Sequence, residues 1–493
     1  MEYKSLVRFY LNGERKEIPV GPNETVLQML HTRFSLSGTK KGCEEGDCGA
    51  CTVVVGKWRG DSFFYEAVAS CIYPAAKLDK THLITVEGLG GPDKLHVVQK
   101  ELVENNGIQC GFCTPGMVMS LFALFAALPN PTDKEISLAL EGNICRCTGY
   151  EGIGRAAEAV RGEIKSRNVA IVPEEFKEIE AELKNMEALH LKVTTGPKGV
   201  PQTEKYYLPK SLSECKDILS KGRKETSGGA SGTYTFLSGG TDIGVSVNMR
   251  KEIPGKIIDL SSIEELSGIE IGEASLTIGA LTTMSVIRED QRLFSVMPIF
   301  REVASKVASQ QIRNVATLAG NIANASPIGD FNVLLLGLNA NLVLWSLEGE
   351  RTLQIQDFFV EYRKTAIKEN ELIKSIQVPL DTDFVSFLKS SKRRAVDIAT
   401  VNSAFSVKKR GNLLSECLFS VGGVAPVPLL LKETAEGMKG VSPFEIDIEK
   451  VSERALREIT PIDDVRGSAE FRSTLVKNQL KKHLARLLER EEG

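Results

Sequence analysis

The stretch Gly42-Cys43-Glu44-Glu45-Gly46-Asp47-Cys48-Gly49-Ala50-Cys51, with one more thiol further on at Cys71, decides how this chain is read. The spacing Cys-x4-Cys-x2-Cys with a distant fourth cysteine is that of plant-type [2Fe–2S] sites. Four thiolates must converge on two irons, and three of them come from one closely wound loop. Gly42, Gly46 and Gly49 permit turns that a Cβ would obstruct, and they let backbone N–H groups approach the sulfurs. A zinc loop or inert core cysteines are the competing readings. The spacing favours the cluster, with Cys43, Cys48, Cys51 and Cys71 as metal ligands.

Ten cysteines are present, eight of them between Cys43 and Cys147, while Cys215 and Cys417 stand apart. The second group, Cys110-x2-Cys113 and Cys145-x-Cys147, is less specific on spacing alone. Two short pairs also suit zinc, whereas two helix ends facing each other could offer four thiolates to a second [2Fe–2S] cluster. None of the five histidines lies within a cysteine motif, so any metal here is held by thiolates. Cys215 and Cys417 read as buried structural residues.

The remaining composition excludes several classes. At roughly 150 residues per domain, a chain of 493 residues suggests about three domains. A net charge of −3 gives no basic excess for nucleic acid or an acidic membrane. The longest apolar run, Met117–Leu128, is too short to span a bilayer. Met1–Arg8 carries both signs of charge with no apolar stretch behind it, which reads as no signal peptide and a cytoplasmic location. A disulfide framework is not expected in such a chain.

Along the chain, residues 1–89 read as a small β-rich unit. Leu6–Leu11 and Glu17–Val20 flank the hairpin signal Asn12-Gly13, a helix follows near Thr25–Arg33, and Thr52–Val55 and Leu83–Val86 are further strands. Residues 90–165 read as helical: His96–Asn105, a helix opened by Pro115, a capping box at Thr132–Glu135, and Ile153–Ile164. Residues 166–205 read as a connector, with a charged helical part at Pro173–Leu189 and a Gly/Pro/Thr-rich part at Thr194–Gln202. Residues 206–380 alternate α and β signals and contain a loop at Gly228–Thr233. Residues 381–493 form an α+β unit ending in a helix, Thr474–Arg490.

No G-x-G-x-x-G opens a helix after a strand, so a Rossmann site is not expected. Phe236–Ile243 reads as a strand running into Gly239-Gly240-Thr241-Asp242, which is either a tight turn or a backbone cradle for phosphate. Gln311–Asp330 is crowded with small and polar residues, which suits a long polar loop or a chain lying against a cofactor.

These stretches resemble the molybdenum hydroxylases, the family of xanthine dehydrogenase, aldehyde oxidase and carbon monoxide dehydrogenase. The likeness is carried by Gly42–Cys51, Gln109–Gly116 (QCGFCTPG) and Gly142–Tyr150 (GNICRCTGY), and it covers nearly the whole chain. It implies a multidomain α+β architecture. A ferredoxin-like β-grasp [2Fe–2S] domain precedes a helical-bundle [2Fe–2S] domain, then a non-Rossmann, PCMH-like FAD-binding α+β domain and a C-terminal α+β flavoprotein domain. It makes Cys110, Cys113, Cys145 and Cys147 the ligands of the cluster nearer molybdenum. It places Leu237, Ser238, Gly239, Gly240, Thr241, Asp242 and Ile243 along the FAD phosphates. Ala316, Thr317, Gly320, Asn321 and Asp330 line the rest of the cofactor, with Ile373 near the rings and Tyr362, in Phe358–Thr365, facing the electron acceptor. Lys392-Arg393-Arg394 is either part of that surface or a solvated turn. Thr400 stands where animal members carry lysine, so no flavin-contacting charge is assigned there. Arg466–Arg472 resembles the family's C-terminal domain.

By the same likeness the chain is similar to the iron–sulfur and FAD subunit of two-subunit xanthine dehydrogenases, passing electrons through both clusters and FAD to NAD+. The molybdenum cofactor and the purine site belong to a large partner subunit, in a dimer of heterodimers, and no catalytic residue for hydroxylation is expected here. Another molybdenum hydroxylase substrate (an aldehyde, nicotinate or a related heterocycle) is the alternative, and a non-catalytic zinc scaffold is the remote one. FAD collects single electrons from the clusters and delivers them in pairs.

Overall fold

In the computed structural model, residues 6–91, 93–187, 191–193, 205–225 and 234–492 are described. The connector stretch Thr194–Gln202 and the loop Gly228–Thr233 lie outside them. The chain forms two compact units. The first comprises Met1–Cys215, Thr233–Ser262 and Ala308–Ala316, and the second comprises Lys216–Gly232, Ile263–Val307 and Thr317–Gly493.

The first unit opens with a five-stranded sheet. Its order is Glu14–Pro19, Leu6–Leu11, His82–Ile84, Thr52–Arg59, Ser62–Ala69. Asn12 and Gly13 both take positive φ, which a two-residue hairpin turn of matching twist requires. The return strand accordingly starts at Glu14, three residues before the pattern alone indicated, because pairing begins as soon as the turn closes. Leu6–Leu11 runs parallel to His82–Ile84, and Val26, Met29 and Leu30 of helix Val26–Arg33 bury against this sheet, a β-grasp arrangement.

Four helices follow: Val97–Glu104, Thr114–Ala127, Asp133–Leu140 and Glu151–Arg167. The capping box forms as its residues indicate: Thr132 Oγ1 accepts from the Glu135 amide at 3.3 Å, and Glu135 Oε2 accepts from the Thr132 amide at 2.6 Å. The apolar run beginning at Met117 is the middle of this bundle, since Thr114–Ala127 is buried on nearly every face. Among the described residues no helix is long and apolar enough to cross a membrane. Helix Glu174–Asn185, within the connector, buries Phe176, Ile179 and Leu183 in the same core. Its Glu180 carbonyl accepts from Trp58 Nε1 at 2.8 Å. A four-stranded sheet, in the order Leu191–Val193, Lys205–Leu208, Lys256–Asp259, Thr235–Leu237, completes the unit.

The second unit holds an antiparallel sheet ordered Ile269–Ile271, Ser275–Gly279, Leu372–Pro379, Asn341–Ser346, Gly349–Gln354. A second antiparallel sheet comprises Phe384–Ser390, Val401–Arg410, Leu413–Gly422 and Leu429–Leu430. Helix Ala469–Glu492 lays Val476, Leu480, Leu484 and Leu487 into the same core cluster as Phe405 and Phe419, at the three- and four-residue spacing of one helical face. It begins five residues earlier than its hydrophobic pattern suggests. Ser468 Oγ accepts from the Phe471 amide at 3.2 Å, and Asp463 Oδ1 accepts from the Ala469 amide at 2.6 Å, so polar groups start the helix.

Candidate functional site

Eight of the ten cysteines fall into two groups of four, and none is in a disulfide. Cys43, Cys48 and Cys51 lie on the loop ahead of strand Thr52–Arg59, and Cys71 lies just after strand Ser62–Ala69. The loop turns on Gly46 and Gly49, both at positive φ, while a Cβ on Gly42 would stand 2.7 Å from Cys48 Sγ. Three amides already point at sulfur. Cys48 N and Glu45 N donate to Cys43 Sγ at 3.4 and 3.5 Å, and Cys43 N donates to Cys48 Sγ at 3.4 Å. Contacts with the Cys48 and Cys71 thiols and with these amides hold the Cys43 thiol far below its ordinary pKa. Cys71 is pushed the other way by Cys43, Cys51 and its burial. Contact with Cys43 likewise pushes Cys48 up, so it is the three amide donors that favour negative charge on the sulfurs of this loop.

In the second group, Cys113 caps helix Thr114–Ala127, and Cys145 and Cys147 precede helix Glu151–Arg167. Cys147 Sγ and Cys110 Sγ meet at 3.4 Å, and Cys145 Sγ meets Thr148 Oγ1 at 3.1 Å. The Cys145 amide donates to the Tyr150 hydroxyl at 2.8 Å. Burial raises the Cys145 thiol, but the side chain and backbone of Thr148 outweigh it and bring its pKa to about 7. Burial, then contact with Cys145, pushes Cys113 up to about 12. Cys113 and Cys145 are buried while Cys110 and Cys147 are exposed, so this site has one open side. Among the described residues no three histidine, cysteine or carboxylate groups close on a single point. Within each quartet the thiols lie in contact with one another as a chain of neighbours, as four ligands gathered around a two-iron cluster must. Cys215 and Cys417 are buried, and burial pushes both thiols up to about 12, as inert core residues require.

The two groups are joined by contacts that sequence reading did not find. The Ile144 amide donates to the Cys48 carbonyl at 2.9 Å. Beside this bond, Asn143 Nδ2 donates to the Gly49 carbonyl at 3.2 Å. Gln311 Nε2 donates to Asn143 Oδ1 at 2.8 Å and to Ser120 Oγ at 3.0 Å. All these side chains are buried. The only local signal was Asn143 itself, a polar residue within the Gly142–Cys147 motif.

Of the residues assigned to the flavin by resemblance, Leu237 ends strand Thr235–Leu237, Ser238-Gly239 forms the turn, and Thr241–Val245 is a short helix. Gly239 packs so closely on Val315 and Ala316 that a Cβ there would overlap the Val315 backbone. Leu237–Ile243 and Ala316 belong to the first unit and the others to the second. Thr317 is buried and caps helix Leu318–Ala323, accepting from the Gly320 amide at 3.1 Å. On that helix Asn321 Oδ1 is buried without a hydrogen-bond partner, an acceptor a bound molecule could satisfy. Asp330 is buried with both oxygens engaged, by Lys389 Nζ at 2.6 Å and Asn402 Nδ2 at 2.7 Å. Ile373 is buried in its strand, whereas Tyr362 is 60% exposed on the hairpin Phe359–Glu361/Lys364–Thr365. Within the first unit the glycine turn leaves only backbone facing outward, and within the second the Asn321 amide oxygen lacks a partner; each is a feature that a bound nucleotide could use. In the basic triplet Arg393 is paired with Asp397, and the buried Thr400 presents its carbonyl to Arg472.

Four family models match in succession. They are a 2Fe-2S iron-sulfur cluster binding domain over residues 9–75, a [2Fe-2S] binding domain over 85–158, the FAD binding domain in molybdopterin dehydrogenase over 201–381, and the CO dehydrogenase flavoprotein C-terminal domain over 386–487. Each cysteine quartet lies inside one of the first two. The rat protein "Xanthine dehydrogenase/oxidase" is 30% identical over 512 residues, which take in 95% of this chain and 38% of the rat protein. The Emericella nidulans xanthine dehydrogenase is 31% identical over 490 residues, 89% of this chain and 35% of that protein. The chain thus spans less than two fifths of the length of these relatives. A solved structure of Cu,Mo-CO dehydrogenase in a cyanide-inactivated form superposes with a TM-score of 0.52 at 27% identity, covering 58% of this chain and 98% of that one. A chain of carbon monoxide dehydrogenase from Hydrogenophaga pseudoflava gives a TM-score of 0.53 at 26% identity, covering 58% and 96%. With two [2Fe–2S] domains, a FAD-binding domain and a flavoprotein C-terminal domain in this order, the chain belongs to the molybdenum hydroxylase family, whose iron–sulfur and FAD-binding parts it carries.

Proposed function

We propose that this chain is the electron-transfer subunit of a xanthine dehydrogenase. Electrons from hypoxanthine and xanthine, oxidised to urate at a molybdenum cofactor on a large partner subunit, pass through it to NAD+. The order is the Cys110/Cys113/Cys145/Cys147 cluster, then the Cys43/Cys48/Cys51/Cys71 cluster, then FAD, which supplies the change from single electrons to a hydride. Leu237–Ile243 take the FAD phosphate side. Ala316, Thr317, Gly320, Asn321 and Asp330 line the rest of the cofactor, Ile373 lies near the rings, and Tyr362 faces the acceptor. The working assembly is a cytoplasmic dimer of heterodimers, and its domains divide near residues 89, 165, 205 and 380.

The observation that carries this reading is the Ile144–Cys48 hydrogen bond. It links two thiol quartets through a few covalent bonds and one N–H···O contact, a path suited to single-electron exchange. The names of the relatives support the purine substrate, and the two [2Fe-2S] domain matches with the amide donors to sulfur support clusters over zinc. Anaerobic titration of the purified chain with NADH is the test. Bleaching of flavin absorbance followed by cluster absorbance supports the relay to a nicotinamide. A colourless zinc protein sinks the electron-transfer reading, and a flavin that NADH leaves oxidised sinks the nicotinamide step. Turnover of xanthine by the complex with the co-purifying large chain tests the substrate.

A further inference from the structure

Lys77 stands on the single turn Ala75–Leu78, six residues after Cys71. Its side chain is 6% exposed, and its ammonium is surrounded by acceptors from a distant part of the sequence. It donates to the carbonyl of Ser238, reaches that of Gly239 at 3.4 Å, and lies 3.5 Å from the wholly buried carboxylate of Asp259. Asp259 is held in turn by the Tyr206 hydroxyl and by the Ser261 amide at 2.9 Å. Burial pulls the Lys77 pKa down, and Asp259 works against that.

In a trans peptide, a carbonyl and the following N–H point in opposite directions. With the Ser238 and Gly239 carbonyls drawn toward Lys77, the Gly239 and Gly240 amides face away from it. Neither amide meets an acceptor among the described residues. The turn has little freedom to rotate out of this state, because Gly239 is pressed against the Val315 backbone. Two neighbouring N–H groups held side by side form a concavity for an anion.

From these contacts we propose that Lys77 is a positioning residue for the flavin diphosphate: by holding two carbonyls behind the turn, it presents the Gly239 and Gly240 amides to phosphate oxygens. This role rests on the reading of Leu237–Ile243 as the phosphate segment. It adds that flavin retention depends on a residue outside the FAD-binding stretch 201–381, on the segment that carries the first cluster. Nothing in the local sequence around Lys77 signals it.

The test uses the full-length chain and two double variants that remove both buried charges together, so that no lone carboxylate is left behind. Lys77→Met/Asp259→Asn has no donor for the carbonyls, and Lys77→Gln/Asp259→Asn keeps a neutral one. FAD content, FAD affinity by flavin fluorescence, and affinity for ADP as a diphosphate-bearing competitor are measured, with cluster absorbance reporting the fold. The methionine variant is expected to keep its clusters and to bind FAD and ADP about ten- to a hundredfold more weakly, with the glutamine variant recovering most of the loss. A methionine variant with normal clusters and wild-type affinity for both ligands overturns the role of Lys77 and leaves the phosphate-segment reading standing. So does one that loses its clusters together with FAD, which makes Lys77 a folding residue. If the wild-type chain binds no FAD, or if ADP fails to compete, the phosphate-segment reading itself falls.

Discussion

The Ile144 amide donates to the Cys48 carbonyl at 2.9 Å, so a residue adjacent to one thiol quartet is hydrogen-bonded to a member of the other. Around this bond, Gln311, Asn143, Ser120 and Thr52 form a buried polar network. Such networks specify a single arrangement as their groups are satisfied; here the Gln311 amide nitrogen is engaged while its oxygen is buried without a partner. Gln311→Leu removes the donor that serves Asn143 and Ser120 and is expected to cost about 2–3 kcal/mol. Denaturant unfolding followed by loss of cluster absorbance measures it.

Each quartet is self-contained in its thiols. Cys145→Ala is expected to abolish one cluster signal in low-temperature EPR and to halve the iron per chain, with flavin content unchanged. Cys48→Ala is expected to remove the other signal. Iron analysis and EPR on the two variants check both outcomes.

Asn321 carries a buried oxygen without a partner, and an unsatisfied acceptor costs about 1–3 kcal/mol. Asn321→Leu, close in shape and without polar atoms, therefore leaves the flavin-free protein as stable as before or more so. It weakens FAD binding by about tenfold. Melting of the flavin-free protein and flavin titration read the two effects separately, and their opposite signs distinguish ligand contact from packing.

Asp330 and Lys389 form an ion pair at 2.6 Å, with side chains only 7% and 9% exposed. Burial raises the Asp330 pKa, and Lys389 and Asn402 oppose it. Lys389→Met strands the carboxylate and is expected to destabilise the protein by about 3–5 kcal/mol. Lys389→Met/Asp330→Asn recovers most of that loss, which a comparison of unfolding midpoints reveals.

His483 sits between Ser386 and Ser403, at 2.5 and 2.8 Å, in the core of the C-terminal sheet. Burial, helped by Arg486 and Lys482, lowers its pKa to about 3. The neutral ring is the folded form, while the unfolded ring takes a proton near pH 6.5. The histidine therefore has no pH-dependent effect well above pH 6.5. As the pH falls from there toward 3, it costs stability at about 1.4 kcal/mol per pH unit. His483→Gln, which can still bond both serines, is expected to flatten the acid limb of a stability–pH profile by about that slope.

Local chemistry made the cysteine groups legible: spacing, glycines and helix ends lie within a few residues of one another. The hairpin at Asn12-Gly13 and the capping box at Thr132 were legible for the same reason. What the sequence concealed is contact across long separations. Gln311 reaches Thr52 over 259 positions and Lys77 reaches Ser238 over 161, and no periodicity reports such pairs. Arg313 shows the difficulty most plainly. It stands in a stretch that reads as a polar loop, yet its side chain is fully buried in an ion pair with Glu141. Asp330 read as a group free to bond a cofactor, because its partners Lys389 and Asn402 come from strands far along the chain.

The first unit is assembled from three separate passages of chain, and its last piece is Ala308–Ala316. Synthesis runs from one end at about 5–20 residues per second. Gln311 consequently leaves the ribosome on the order of 5–20 s after Cys215, when all eight clustered thiols have long been made. During that interval the two quartets exist without the side chain that bonds Asn143 and Ser120. The hydrogen bonds of Gln311 are therefore the last of that joint to form on a nascent chain.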